Sequence, residues 1–492
     1  MGWPTAGLLA AAALLACVSR PLLEQHWVAV ETPHFAIVSA LDPEATQQLA
    51  DDLERFHAAI EFVSGTRLGH APVRTRVYAF DDPTLERPFN RRGEPAYFLP
   101  SLRGPRIVLR NGNGWRGDAT RRVRRRYAEY LLRNRDGVDQ PLWHDAGFSE
   151  FASTIVVWDN GAEIGAHDRK RLAQLRSQMR IPSKRLLAAE TLDPHDSDAF
   201  EAEAWLVVHY LFFGQPASEP VGAHLRRYSA QRARGTPPTP ALRAALGGTS
   251  SSLDRRLKNH LRDGHFDTLA MRIEHPWDAH PPVPLSRGAI CAELGWLSLE
   301  IGKHDQARGF FACALAAAPA NASAAAGLGT LDARAGKWEE AVTQFDNALA
   351  AAPDDALVQL DVAEIYRARA RTLADDETRH ALVEAARKHY RRSLEIEPNL
   401  PETHAGLAAT YLIRGEDPRL GLPAIRRARE LLPASLEINL LEAALLARTG
   451  NPVSARRRAN AVLARARSDG TSRAAREILK RLDAAPQAAK PE

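Results

Sequence analysis

Cysteine is scarce in the 492-residue chain, which contains only Cys17, Cys291 and Cys313. Three cysteines cannot form a disulfide framework, and none of them shows the CxxC spacing of a metal site. Cys291 and Cys313 fall at mostly apolar positions of two predicted helices. We therefore expect them to be core thiols rather than a redox pair.

Several catalytic motifs and all long apolar segments are also missing. The chain has no GxxxxGK[ST] loop, no GxGxxG after a strand and no GxSxG elbow. The sequence therefore does not support nucleotide hydrolysis, dinucleotide binding or hydrolysis by a GxSxG serine nucleophile. Beyond the N-terminus no stretch reaches the roughly 20 apolar residues of a membrane span. The 65 basic and 60 acidic residues nearly balance, so we expect no nucleic-acid partner.

The N-terminus contains a short apolar run, GLLAAAALLAC, that is too brief to span a bilayer and has the small residues of a secretory signal. Its end, Leu14-Leu15-Ala16-Cys17, resembles the lipobox of bacterial lipoproteins, which implies that residues 1–17 are a signal and that Cys17 is lipidated. Without Asp after Cys17, the resemblance implies an exported, periplasmic protein anchored in the outer membrane. MGWPT lacks the usual Lys or Arg, so a plain cleaved signal or a misassigned start is the alternative.

Residues 26–264 show an α+β order in which strands precede helices. HWVAVETPHFAIVSA alternates apolar residues at period two and predicts a strand, a turn and a strand. Asp42 is placed to cap a following helix. Further strands are predicted in APVRTRVYAF and PRIVLRN, and the helix AEAWLVVHYLFF, residues 202–213, is apolar nearly all round and predicted to be buried.

The C-terminal half repeats with a period of 34 residues. Leu294, Gly295, Ala307, Phe311, Ala314 and Pro319 recur as Leu328, Gly329, Ala341, Phe345, Ala348 and Pro353. These positions resemble the consensus of tetratricopeptide repeats, in which small residues lie where paired helices touch and an aromatic ring fills the gap between repeats. We predict a linker over 267–284, an all-α array of about five repeats over 285–470 with an insertion near 368–379, and a terminal helix with a disordered tail over 471–492.

The stretch RRYAEYLLRNRDGVDQPLWHDAGFSEFAST, residues 125–154, has the helix, loop and helix rhythm of a zincin. Together with the strands and the buried helix it resembles the peptidase-MA-like domain, a gluzincin-like α+β fold, over residues 24–266. In such domains HExxH supplies two zinc ligands and a general base, and a Glu on the next helix supplies the third ligand. The resemblance places Arg125, Arg126, Glu129 and Ala146 at these four positions, so only Glu129 could hold a metal.

Other arrangements at this position stay open. No two of the 17 histidines are four residues apart, but a metal could still assemble from His144, Asp145, Glu150 or His167. We expect no cofactor, and we expect ion pairs of Arg125 or Arg126 with Glu129, Asp145 or Glu150 to replace the metal. The run RRVRRR, residues 121–126, could alternatively form an anion-binding cleft or a solvated basic helix face.

The first helix of each repeat is expected to line a concave groove that binds an extended or helical peptide of a protein partner. The groove lacks the Lys and Asn pattern that clamps C-terminal carboxylates and looks apolar. Some of its residues, Trp296 among them, could instead pack against a neighbouring repeat or domain. The predicted groove residues are Ala289, Ala292, Trp296, Leu299, Ser323, Ala326, Thr330, Ala333, Glu402, Ala405, Ala409 and Leu412.

These patterns predict a catalytically inactive, peptidase-like envelope lipoprotein that acts as a protein-binding scaffold. The alternative is a hydrolase of altered chemistry that uses Glu129, Asp145 and Glu150, or a metal site without a known motif, in the same cleft.

Overall fold

A computed structural model of the protein describes residues 20–65, 73–82, 87–90, 96–110, 114–116, 120–134, 140–167, 169–177, 181–190, 197–263, 266–273, 277, 280–466 and 469–484. The proposed lipidation site Cys17, the preceding signal and residues 485–492 of the predicted tail lie outside this part of the chain. Each described helix is either too short or too polar to cross a bilayer.

A mixed sheet forms the centre of the N-terminal region. Its strands are β1 (Val28–Glu31), β2 (Phe35–Ser39), β3 (Thr75–Phe80), β4 (Ala96–Leu99), β5 (Arg106–Arg110) and a final strand (Val283–Pro284). Their order is β4-β5-β3-β2-β1 followed by the final strand. The β2–β3 and β3–β5 pairs are parallel and the other pairs are antiparallel. The prediction of a strand, a turn and a strand over residues 26–40 is confirmed by the β1–β2 hairpin.

Helices cover one face of this sheet. They are α2 (Pro43–Ser64), α3 (Arg121–Asn134), α4 (Leu142–Ser153), α5 (Arg169–Ser177), α6 (Ser183–Ala188), α7 (Ser197–Phe213), α8 (Ala223–Ala233), α9 (Pro238–Leu246) and α10 (Ser250–Asp263). The short helix α1 (Arg20–Leu23) precedes them and lies on the other face, where Leu22 packs in one cluster with Tyr78 and Phe80. Asp42 caps α2 as predicted, because its side chain accepts a hydrogen bond from the Ala45 N–H at 2.9 Å. The predicted buried helix is confirmed in α7, where Leu206, Val207 and Val208 are fully buried.

The segment predicted to be a linker, residues 267–284, contributes strands to two sheets. A small antiparallel sheet contains β6 (Val156–Trp158), β7 (Gly161–Ile164) and β8 (Leu269–Arg272). The strand Val283–Pro284, β9, then pairs with β1 at the edge of the large sheet. The segment therefore differs from a free linker, because its backbone is hydrogen-bonded to the N-terminal region at both ends.

The helical repeats begin immediately after β9. Their paired helices are α11 (Arg287–Glu300) with α12 (His304–Ala317), α13 (Ala322–Arg334) with α14 (Trp338–Ala351), α15 (Ala356–Ala370) with α16 (Asp376–Ile396), α17 (Pro401–Thr410) with α18 (Leu422–Leu431), and α19 (Leu436–Arg448) with α20 (Pro452–Arg465), followed by α21 (Asp469–Ala484). The extra residues predicted in the third repeat are taken up largely by α16, which is 21 residues long.

Small residues and aromatic rings pack between these helices as the repeat pattern predicts. A Cβ atom added to Gly295 would lie 2.5 Å from the ring of Phe311, and one added to Gly329 would lie 2.8 Å from the ring of Phe345. Both rings are buried. The consensus glycines are therefore required because the rings pack directly against the helix backbone.

The sheet is buried on both faces. Val77 and Ala79 of β3 point into the core formed with the N-terminal helices, whereas Tyr78 and Phe80 point into a second core. This second core includes Ile290, Leu294, Leu297 and Phe310 of the first repeat. Since alternate strand residues face opposite sides, the first repeat forms a layer of the N-terminal fold.

Cys291 and Cys313 form a disulfide that joins α11 to α12, with their Cα atoms 5.9 Å apart. The prediction of two core thiols is therefore wrong. Cys291 is fully buried, as a core thiol would be, but the pairing of the two helices within one repeat places Cys313 directly opposite it. Apolar surroundings alone did not distinguish these two states of cysteine.

We expect neither Cys291 nor Cys313 to react with a thiol-specific alkylating reagent when the purified protein is denatured without reductant. Prior reduction should make both reactive, because only the disulfide blocks them. Mass spectrometry of the two cysteine peptides measures the outcome. Full alkylation without reductant would contradict the disulfide and restore the prediction of free thiols.

Candidate functional site

An arginine-carboxylate network surrounds Arg125, one of the residues that the resemblance to zincins assigns to a metal site. Arg125 of α3 donates to Glu201 of α7 at 2.7 Å and lies 3.4 Å from Glu150 of α4. Arg121 of α3 and Arg171 of α5 contact the same Glu150 carboxylate at 2.7 and 2.9 Å. Glu150 is almost completely buried. Four helices therefore meet at this network of three arginines and two glutamates.

A second group of ion pairs lies at the C-terminal end of α3. Arg133 contacts both Glu129 at 2.7 Å and Asp145 at 2.9 Å. Burial raises the pKa of Asp145, but a hydrogen bond from His144 and the charge of Arg133 outweigh burial and hold this pKa below its ordinary value. Arg126 contacts Glu129 at 2.8 Å from an exposed position, where an ion pair adds little stability.

The predicted ion pairs of Arg125 and Arg126 are present in the structure. Arg125 pairs with Glu150 and Arg126 pairs with Glu129, whereas the partner of Asp145 is Arg133. The predicted basic helix face is present only in part. Arg122 and Arg126 are exposed, but Arg124 is buried and donates to the carbonyl oxygen atoms of Trp115 and Ile155.

The residues at this position do not fit a zinc ion. The two arginines have no lone pair to donate, Ala146 has only a methyl group, and Glu129 already contacts two guanidinium groups. The other candidate ligands are dispersed: the His144 ring is stacked on Tyr228 and His167 is exposed beside Phe266. Across the described ranges no three His, Cys, Asp or Glu side chains are placed to hold a metal ion.

The residues predicted to line the peptide groove are all buried or half-buried. Ala292, Leu299, Ala326, Thr330 and Ala405 are buried. The remaining predicted groove residues are half-buried, namely Ala289, Trp296, Ser323, Ala333, Glu402, Ala409 and Leu412. Part of this burial comes from neighbouring repeats, as the Trp296 indole shows by donating to Ser323 at 2.8 Å. Another part comes from the N-terminal region.

The turn between β4 and β5, residues 100–105, enters the concave side of the repeats, and we name it the hairpin tip. The Arg103 Nε donates to Glu402 at 2.7 Å, and its Nη2 donates to Asp361. The guanidinium carbon also lies 5.3 Å from the ring centre of Trp296. Because these three residues belong to α11, α15 and α17, the Arg103 side chain joins the first, third and fourth repeats.

We name the site formed by Trp296, Asp361 and Glu402 the arginine pocket. Asp361 is 5% exposed and Glu402 is 22% exposed. Burial raises the pKa of Asp361 although Arg103 opposes the shift. Burial also raises the pKa of Glu402 to about 7, with Arg103 lowering it and the neighbouring charges of Glu364 and Asp361 raising it.

More arginines of the sheet face carboxylates of the first repeat. Arg76 pairs with Glu293, which also accepts a hydrogen bond from the Tyr78 hydroxyl at 3.0 Å. Arg106 contacts Glu300 at 2.6 Å. The face of the first repeat that meets the sheet is therefore acidic, a feature that the prediction of an apolar groove did not include.

The N-terminal region also contacts the far end of the array. Leu102 of the hairpin tip and Tyr130 of α3 pack against the apolar cluster of the fourth and fifth repeats. The Asn134 side chain accepts a hydrogen bond from the Ala434 N–H at 3.1 Å. The N-terminal region thus touches both the first repeat and the fourth and fifth repeats.

Sequence reasoning missed the carboxylates of this interface, although part of the signal is local. Glu293 and Glu300 are seven residues apart and therefore share one face of α11. That spacing could have predicted an acidic face on the first repeat. The contacts of Arg103 with Asp361 and Glu402 join residues 258 and 299 positions apart, and no local pattern indicates them.

The raised pKa of Glu402 predicts that the folded protein, in which the hairpin tip contacts the array at this residue, loses stability as pH rises. A carboxyl whose folded pKa exceeds its unfolded value stabilises the fold fully below the unfolded pKa, here 4.5, and this contribution is lost as pH rises through about 7. Since the side chain is 22% exposed, we expect an effect of about 1–2 kcal/mol.

Thermal unfolding of the wild type and Glu402→Gln between pH 5 and 8 measures this effect. The unfolding midpoint of the wild type should fall more steeply with pH than that of Glu402→Gln. Glu395→Gln, at an exposed position of α16, is the control and should follow the wild type. Parallel curves for the wild type and Glu402→Gln would contradict the prediction.

Comparison with known proteins identifies the repeats. The tetratricopeptide repeat family matches residues 298–365, which run from the first repeat into the third. The C-terminal array therefore contains tetratricopeptide repeats. No curated protein matches the chain.

Several solved structures show similarity to parts of the chain. A tetratricopeptide protein of Thermus thermophilus is 21% identical, with a TM-score of 0.36, 39% of this chain covered and 99% of its own. Pseudomonas aeruginosa pilF is 18% identical, with a TM-score of 0.33, 40% of this chain covered and 87% of its own. Yeast Tom70 is 15% identical, with a TM-score of 0.32, 70% of this chain covered and 67% of its own.

Proposed function

We propose that this protein is a catalytically inactive, peptidase-like lipoprotein of the bacterial envelope whose repeat array binds a protein partner. The observation that carries the proposal is the hairpin tip in the concave side of the array. There the array holds Arg103 of this segment through two carboxylates, Asp361 and Glu402, and the ring of Trp296. These groups can recognise protein, and tetratricopeptide repeats generally mediate protein interactions.

The proposed loss of catalysis is supported by the arginine-carboxylate network. A zincin needs three ligands and an open coordination position, whereas this position presents cationic Arg125 and Arg126 and the methyl group of Ala146. The alternative hydrolase would need Glu129, Asp145 or Glu150 to act on a substrate. Each of these carboxylates is already paired with at least one arginine, and this pairing favours a structural role.

The proposed location in the envelope is supported by two features of different kinds. The disulfide between Cys291 and Cys313 is of a kind that persists in oxidising compartments such as the periplasm. The lipobox-like end of the N-terminal segment would supply a lipid anchor at Cys17, and the absence of Asp after it favours the outer membrane. No nucleic-acid partner is proposed.

Metal content tests the inactive peptidase. Mass spectrometry of the full protein, purified without chelator, should find less than stoichiometric zinc and other transition metals. A stoichiometric metal would overturn the proposal and direct attention to His144, Asp145, Glu150 and His167. Loss of a hydrolase activity in Glu129→Gln would support the alternative function instead.

Partner capture tests the binding scaffold. We expect a partner that co-purifies in a fixed ratio with the wild type and is lost when Ala409, half-buried in the predicted groove, is replaced by arginine. Val453→Arg is the matched control, because Val453 is 80% exposed at the start of α20. Equal capture by both variants would place the binding site outside the groove.

A further inference from the structure

We propose that the arginine pocket recognises an arginine next to an apolar residue in a partner protein, and that the protein's own Leu102 and Arg103 occupy this site as an internal competitor. The inference rests on the proposed function, because it specifies what the repeat array binds. It differs from general groove binding by naming the residue type of the ligand.

The pocket matches a guanidinium group rather than a general cation. Glu402 accepts from Nε and Asp361 accepts from Nη2, so the two carboxylates bind two different nitrogen atoms of one planar group. The Trp296 ring lies near its face. Lysine has neither the fork of donors nor the flat face, so it cannot make this set of contacts.

The pocket is assembled by several repeats. Trp296, Asp361 and Glu402 lie on the first helices of three different repeats, and first helices line the concave side of such arrays. Leu102 extends the contact to the apolar cluster of the fourth and fifth repeats. An extended Leu-Arg segment of a partner could therefore make the same polar and apolar contacts as the hairpin tip.

The hairpin tip is shaped to present these two side chains. Ser101 accepts a hydrogen bond from the Arg103 N–H at 3.2 Å, and the Gly104 N–H donates to the Ser101 carbonyl at 3.2 Å. Gly104 has a φ of +92°, and this conformation is readily adopted by glycine. The tight turn holds Leu102 and Arg103 at its end, where a partner segment must compete with them.

A labelled peptide that copies residues 100–105, PSLRGP, tests the proposal by fluorescence anisotropy with the full chain. We expect it to bind the double variant L102S/R103S at least tenfold more tightly than the wild type, because the variant lacks the internal competitor. Arg74→Ser is the matched control, since exposed Arg74 pairs with Glu31 and not with the array. It should bind the peptide no better than the wild type.

Two further comparisons decide what is recognised. The peptide PSLKGP should bind L102S/R103S at least tenfold more weakly than PSLRGP. Adding D361N and E402Q to that variant should abolish binding of PSLRGP. Equal binding of the two peptides would mean that the array attracts any cationic peptide, and binding that survives D361N and E402Q would place the site elsewhere. Either result would overturn the proposal.

The conservative variant Arg103→Lys keeps the experiment decisive if the double variant does not fold. It retains a positive charge but loses the forked contacts, so PSLRGP should bind it at least threefold more tightly than the wild type. If Arg103→Lys binds PSLRGP no more tightly than the wild type, the proposal that Leu102 and Arg103 act as an internal competitor is overturned. If a partner is still captured through Ala409 while the peptides fail, only this inference falls. If no partner depends on the groove, the proposed function falls.

Discussion

Replacing Glu150 with alanine is expected to lower the free energy of unfolding of the N-terminal region by about 3–5 kcal/mol. Its carboxylate is 4% exposed and contacts Arg121, Arg125 and Arg171. The variant would remove this carboxylate from Arg121 and Arg171, whereas Arg125 would keep its contact with the Glu201 carboxylate. Removing one side of a buried charge network costs more than the network contributes when complete, because the remaining charges stay partly desolvated.

Chemical denaturation followed by tryptophan fluorescence measures this loss, since Trp115, Trp143 and Trp205 are all fully buried in the N-terminal region. Glu31→Ala is the matched control. Glu31 is 70% exposed and makes an ion pair with Arg74, so its removal should change the stability by no more than about 1 kcal/mol. An equally small change in Glu150→Ala would show that the network does not hold the four helices together.

Replacing Gly147 with alanine is expected to destabilise the same region by about 3 kcal/mol or more. A Cβ atom at Gly147 would lie 2.2 Å from the Ala204 carbonyl oxygen and 3.0 Å from Val208. The first contact is with backbone of α7, which cannot move aside by a change of rotamer. The helices α4 and α7 would have to separate, and the fully buried side chains between them would lose contacts.

Gly470→Ala is the control for this substitution, because no atom lies within 4 Å of a Cβ added there. Its effect should stay within about 1 kcal/mol, because alanine differs from glycine by no more than this amount in helix propensity. Both variants can be compared by thermal unfolding and by the fraction of soluble protein. A stable Gly147→Ala protein would mean that α4 and α7 do not cross as closely as described.

The predictability of this fold depends on how local each signal is. The repeats were predictable because Gly295, Phe311 and their equivalents recur at a fixed spacing. The β1–β2 hairpin was predictable because its alternation extends over 15 residues. The isolated strands β8 and β9 contain too few residues for alternation to be recognised, so the segment 267–284 was predicted to be a linker.

The candidate site shows the same division. Ion pairs between α3 and α4 could be predicted, because the resemblance placed both helices side by side and their charges are visible in the sequence. The network also includes Arg171 and Glu201, which only the packing of α5 and α7 brings to Glu150. The arginine pocket could not be predicted from the sequence, because Arg103 lies in the N-terminal region and its partners lie in the repeats.

The contacts at both ends of the array determine how it can move. In an array of this kind each repeat contacts only its neighbours, so the array as a whole can bend and twist. Here the sheet packs on the first repeat, and Leu102, Tyr130 and Asn134 reach the fourth and fifth repeats. The N-terminal region therefore bridges the two ends of the curved array. This bridge restrains the curvature of the repeats that lie between the first and the fourth. A ligand that opens the array must first break the contacts of the N-terminal region with either the first repeat or the fourth and fifth repeats.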